Sequence, residues 1–117
     1  MQNDKVFFKI IIPNYNNIAY IKKCLDSILE QTFQDFKIIV VDDLSDDYSY
    51  ELAKSYEWQY PDKIVVLKAD RKRHAGGCRN IGIDYPIDCN YCYFIDSDDY
   101  LGSERSLQIM YDAIIDD

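Results

Sequence analysis

From Phe7 to Ile12 the chain is apolar at every position except Lys9, and Pro13 closes the run. A short unbroken apolar stretch predicts a strand buried on both faces. Asn16 or Asn17 then offers a helix cap, and Ile21, Leu25, Ile28 and Leu29 fall at i, i+4, i+7 and i+8. That spacing is one apolar stripe of a helix. Phe36 to Val41 predicts a second strand, ended by Asp42-Asp43. Ser45 and Asp46 are candidate caps for a second helix, which turns Leu52, Ala53 and Tyr56 inward. Pro61-Asp62 interrupts the chain before a third strand, Ile64 to Leu67. Gly76-Gly77 opens a short helix through Ile81 that stops near Tyr85-Pro86, since a residue before proline avoids helical backbone. Tyr91 to Ile95 predicts a fourth buried strand. Ser103 caps a last helix with Leu107, Met110, Tyr111 and Ile114 on one face.

Strand and helix alternate four times. Short apolar strands separated by amphipathic helices pair in parallel through right-handed crossovers. The expected class is α/β: a Rossmann-like, open, mainly parallel sheet with helices on both faces. No linker, repeat or low-complexity stretch divides the chain, so residues 1–117 read as one domain.

Composition narrows the function. A net charge of −8 excludes a nucleic-acid backbone as partner, because such partners require a basic surface. No apolar run reaches the length of a membrane span and no signal pattern precedes the first strand. The expected location is cytoplasmic, with peripheral membrane contact through a segment outside this chain left open. The four cysteines, Cys24, Cys78, Cys89 and Cys92, read as free thiols of a reducing compartment. Cys89-x-x-Cys92 with His74 and Cys78 would complete four zinc ligands. No second Cys-x-x-Cys accompanies them, and Cys92 falls in the fourth predicted strand.

In an open parallel sheet, ligands bind beyond the carboxyl ends of the strands. Those ends carry Pro13-Asn14-Tyr15-Asn16, Asp42-Asp43, Ala69-Asp70-Arg71 and Asp96-Ser97-Asp98-Asp99. Helix capping explains single acids there, but not acids at the ends of both the second and fourth strands. If the chain is still extended at Asp96 and Asp98, both carboxylates point the same way and suit Mg²⁺ or Mn²⁺. The plainer reading has Asp98 or Asp99 capping the turn into the last helix. A carboxylate of the Asp42-Asp43 corner can accept from a sugar hydroxyl or a base N–H. Gly76-Gly77 allows close backbone approach, and Arg79 adds a fixed positive charge. His74 reads as an exposed loop residue. Arg71-Lys72-Arg73-His74 reads as a solvated loop, or as a partner for a diphosphate.

Three stretches, IIIPNYNNIAYIKKCLDSILEQTFQDFKIIVVDDLSDD, AGGCRNIGI and YFIDSDDYL, together carry a resemblance. The sequence resembles the family-2 inverting glycosyltransferases of the GT-A fold over nearly its whole length. The resemblance implies a nucleotide-sugar donor, most often a UDP-sugar, a divalent ion (Mn²⁺ or Mg²⁺) and a role in polysaccharide biosynthesis. Position by position, Pro13 and Tyr15 would line the nucleobase pocket, and Asp43, helped by Asp42, would hydrogen-bond the base or ribose. Gly77 and Arg79 would sit by the nucleotide. Asp96 would approach the ribose, and Asp98, with Asp96, would hold the metal. Leu44 departs from the pattern, where glycine is common after the paired acids.

Members of that family continue well past the Asp-x-Asp, and the later half supplies most of the acceptor site and the general base. The chain is therefore expected to be a donor-binding half whose own acids include no assignable base. Its acceptor, whether glycan, lipid or protein, is left open. Exposed apolar surface where the later half would dock predicts self-association. Two rivals stand beside this reading. A phosphoacceptor receiver domain would carry its paired acids after the first strand, and here they follow the second. A non-catalytic nucleotide-binding or interaction module would show binding without turnover.

Overall fold

The computed structural model describes residues 5–116. Eight elements alternate: β1 (Val6–Asn14), α1 (Ile21–Leu29), β2 (Phe36–Asp42), α2 (Ser49–Gln59), β3 (Ile64–Lys68), α3 (His74–Asp84), β4 (Cys89–Phe94) and α4 (Ser106–Ile115). The sheet order is β3-β2-β1-β4, and every pairing is parallel. Phe8, Ile10, Ile12, Phe36, Ile38 and Val40 meet apolar residues of α1, α2 and α4 on one face. Ile11, Ile39 and Val41 meet Cys78 and Ile81 of α3 on the other. The first two crossovers step the chain outward from β1 to β3. α3 then carries it back across the opposite face to β4, as a right-handed crossover in the reverse direction requires. Strand order therefore switches between β1 and β4, where an open sheet leaves a crevice.

Lys9, the polar break in the first apolar run, is only 2% exposed. Its Nζ donates to Ile83 O at 2.8 Å and Tyr85 O at 2.6 Å. The buried ammonium thus satisfies carbonyls at the end of α3, where the helix dipole favours a cation. α3 packs closely on β1 at Gly82. A Cβ there would lie 2.5 Å from Ile11 Cγ2. The tight approach is at Gly82; at Gly76 a Cβ would meet nothing within 4 Å.

Helix starts differ from the expected caps, because the capping side chains bind across loops instead. Asn16 Oδ1 accepts from Asp46 N at 2.9 Å, and Asn17 Nδ2 donates to Ser97 Oγ at 2.7 Å. Neither side chain caps α1, which begins after Tyr20. Ser45 is drawn to Asp42, and α2 starts later, where Asp47 accepts from Ser49 N at 3.0 Å. α3 starts at His74, ahead of the glycine pair. α4 starts at Ser106, and the long-range acceptor at its first turn is Gln31 Oε1, 2.9 Å from Leu107 N. β4 is an edge strand, so Asn90, Tyr91 and Cys92 are exposed rather than buried.

Candidate functional site

A cleft of about 260 Å³ opens at the β1/β4 switch point. Pro13, Asn14, Tyr15 and Asn17 form its β1 side, Asp43 its β2 corner, and Asp96, Ser97 and Asp98 its β4 side. His74, Ala75, Cys78 and Arg79 close it from α3. A larger groove of about 520 Å³ runs between α1 and residues 100–104, but none of the strand-end acids faces it. Pro13, Tyr15, Asp43, Arg79, Asp96 and Asp98 therefore converge on one cleft, while Asp42 and Gly77 do not line it.

The two adjacent acids part company because Asp42 is the last residue of β2 and Asp43 the first of the loop beyond it. Asp42 is fully buried. The β1–β2 register sets it beside Asn14. Its Oδ1 accepts from Asn14 Nδ2 at 2.9 Å and Ser45 Oγ at 2.7 Å, and its Oδ2 accepts from Ser45 N at 2.9 Å. Asp42 thus folds the loop after β2 and offers a ligand nothing. Asn14 Nδ2 is also 2.9 Å from Ser49 Oγ. The Asp42 carboxylate can only accept, which fixes the Asn14 amide with its nitrogen inward. Asn14 Oδ1 is left buried without a partner among the described residues.

Asp43 is 3% exposed, with its carboxylate at the start of α3. Oδ1 accepts from Arg73 N at 2.7 Å and Oδ2 from His74 N at 2.8 Å. Burial works against the charge. Donation from Arg73 N–H, Lys72 and His74 N–H outweighs it, and the carboxyl titrates below the usual carboxylate range. One residue thereby caps α3 and forms a wall of the cleft. Lys72 Nζ lies 3.2 Å from Asp43 Oδ2 and 3.0 Å from the centroid of the Tyr15 ring.

At the other end, Asp99 N donates to Asp96 O at 2.9 Å, closing a turn just beyond β4. The strand has already ended at Phe94, so extended backbone is not what gathers the acids. The turn does so instead. It brings one carboxylate oxygen each of Asp96, Asp98 and Asp99 within 4.8 Å of one another, all exposed. Three hard oxygen donors with open access to water fit Mg²⁺ or Mn²⁺. Asp96 Oδ1 is also 3.2 Å from Arg79 NH2. This is the only group of three or more possible ligands among the described residues. The zinc set is not assembled. Cys78 is buried on the sheet-facing side of α3, while Cys89 and Cys92 sit on the β4 edge with Sγ atoms 3.9 Å apart.

Sequence reasoning missed three participants. Asp99 joins the acidic turn, and its place in the run DSDD was the available signal. Lys72 leaves the basic loop to touch Tyr15, which no local pattern announces. His74 is exposed, as expected, but it opens α3 with a left-handed backbone, φ 62°, and lines the cleft rather than standing in a free loop. Arg73 is held by Asp70 through two bonds of 2.9 Å, so that guanidinium is already engaged.

A crevice at the switch point of a parallel sheet, with an aromatic corner at one end and clustered carboxylates at the other, is where an open α/β domain takes its ligand. Residues 9–117 match the model of Glycosyl transferase family 2. The chain belongs to that family. It is 39% identical over 101 residues to the poly(ribitol-phosphate) beta-glucosyltransferase of Bacillus spizizenii, covering 85% of this chain and 16% of that protein. It is 31% identical over 99 residues to the poly(ribitol-phosphate) beta-N-acetylglucosaminyltransferase TarS of Staphylococcus aureus, covering 83% of this chain and 17% of that protein. The crystal structure of S. aureus TarS 1–349 in complex with UDP superposes with a TM-score of 0.82 at 27% identity. That match covers 94% of this chain and 32% of that one. The fold is therefore the GT-A fold, and the chain spans less than a third of the length of these relatives.

Proposed function

We propose that this chain binds a nucleotide-diphospho-sugar of the uridine class in the β1/β4 cleft, as the donor-binding part of an inverting glycosyltransferase. The observation that carries the reading is the single cleft joining Pro13, Tyr15 and Asp43 to Arg79 and the acidic turn. The UDP complex of TarS supports uridine as the base. In this reading Pro13 and Tyr15 wall the base and Asp43 accepts from base or ribose through lone pairs its helix-capping bonds leave. Asp96 faces the ribose side and Arg79 the diphosphate. Asp98 and Asp96, joined by Asp99, would hold Mn²⁺ or Mg²⁺. A bound divalent ion would supply neutralisation of the diphosphate as the sugar departs. Asp42 keeps only its loop-building part.

No residue of this chain is assigned as general base, and transfer itself is a property proposed for a longer protein. The reactions named for its relatives favour a polymer of the poly(ribitol-phosphate) kind as acceptor. A lipid or protein acceptor remains the alternative for assay. The open β4 edge and the exposed Tyr91, Phe94, Ile109 and Ile115 support self-association of the isolated chain. Among the described residues no helix is long and apolar enough to cross a membrane. The proposed setting is the cytoplasmic one, where nucleotide sugars are met.

A thermal-shift series tests the reading. UDP with Mn²⁺ should raise the melting temperature of the wild-type chain, since a ligand of the native state stabilises it. The shift should vanish in Asp98→Ala, whose fold stays intact because Asp98 has no structural partner among the described contacts. Absence of any shift with uridine, guanosine and adenosine diphosphates, each with Mn²⁺, would refute it.

A further inference from the structure

We infer that Lys72 is a positioning residue for the nucleobase, acting through Tyr15; the inference rests on the donor-binding reading above. The Lys72 ammonium lies 3.0 Å from the Tyr15 ring centroid, 3.2 Å from Asp43 Oδ2 and 3.4 Å from Asp43 O. Tyr15 and Asp43 both line the cleft and Lys72 does not. The cation therefore grips two walls of the base subsite from outside the space a ligand would fill.

The grip has a physical purpose. Tyr15 is 49% exposed and follows directly on β1, so packing alone does not hold its ring. A cation over an aromatic face is attracted by the ring quadrupole. Asp43 is itself fixed by the two N–H groups that open α3. Lys72 thus ties an exposed ring to an anchored carboxylate. Arg73 is engaged by Asp70, and the Asp43 backbone carbonyl faces the same ammonium. A ring fixed before binding spares the ligand the ordering cost of immobilising it.

Equilibrium titrations of uridine, and of UDP with Mg²⁺, test this on wild type, Lys72→Met, Lys72→Arg and Tyr15→Ala. Lys72→Met should weaken both ligands by the same factor, about 3- to 10-fold for loss of one cation–π contact. Lys72→Arg should restore most of it. In a Tyr15→Ala background, Lys72→Met should cost no further affinity, the signature of action through the ring. A loss confined to UDP would mean direct contact with phosphate and would overturn the inference. So would an undiminished loss in the Tyr15→Ala background, or a drop in melting temperature with affinity unchanged. Wild-type protein binding neither ligand would instead overturn the donor-binding reading itself, and this inference with it.

Discussion

Replacing Asp43 by asparagine isolates the double duty of that carboxylate. The side chain keeps its shape and one oxygen. The other arm becomes an amide NH₂, set against a backbone N–H that now has no acceptor. Arg73 N and His74 N approach separate oxygens at 2.7 and 2.8 Å, so one of the two bonds must fail. A charge-assisted hydrogen bond contributes about 1.5–3 kcal/mol. Loss of the negative charge at the start of α3 removes up to about 1 kcal/mol more. The half-exposed Lys72 contact adds little, as surface ion pairs do. Together Asp43→Asn should lose about 2–4 kcal/mol at pH 7, read as a lower urea midpoint at unchanged slope.

The effect should fade in acid. The folded-state carboxyl is depressed, so the native protein binds fewer protons than the unfolded chain as pH falls. The stability it contributes is complete above the unfolded value, near 4, and is lost as pH drops below it through the folded value. Asparagine has no such proton. Wild type and variant should therefore converge below about pH 4. Both retain some slope from Asp26, Asp47 and Glu57, which are also depressed. Equal midpoints at pH 7, or denaturation curves that stay parallel through the acid range, would refute the role assigned to Asp43.

Gly82→Ala should destabilise by about 1–3 kcal/mol in chemical denaturation, because the new methyl would sit 2.5 Å from Ile11 Cγ2 in the buried sheet; Gly76→Ala, in open space, should be nearly neutral. Gln31→Leu should cost about 2–4 kcal/mol, since Gln31 joins Ser27 O, Ser103 O and Leu107 N and so pins α4 to α1. Faster amide exchange at Leu107 is the accompanying signal. Burial, joined by nearby aspartate charge, pushes the Cys24 thiol up to about 12 and the Cys78 thiol up to about 11. At pH 8 iodoacetamide should label the exposed Cys92 in the native protein, and reach Cys24 and Cys78 only after unfolding, by peptide mass analysis.

What the chain revealed by itself was its architecture and the general place of its chemistry. The apolar runs at Phe7–Ile12 and Phe36–Val41 define the two inner strands, since strands buried on both faces have no room for polar alternation, and Ile64–Leu67 defines the edge strand β3. Parallel pairing then sends all strand-end loops to one edge, and the acids of those loops must share it. Tertiary structure decided which polar groups face the cleft and which serve the fold. Asp42 and Asp43 are indistinguishable in sequence, yet the β1–β2 register gives one to Asn14 and the start of α3 takes the other. Asn16 and Asn17 have the residue type of helix caps, but partners some 30 and 80 residues away claimed their side chains. Lys72 reaches Tyr15 across 57 positions of chain. Local patterns report burial because burial repeats with the period of the backbone. Hydrogen-bond partnership has no period, and depends on which loops the packed sheet brings within three ångströms of one another.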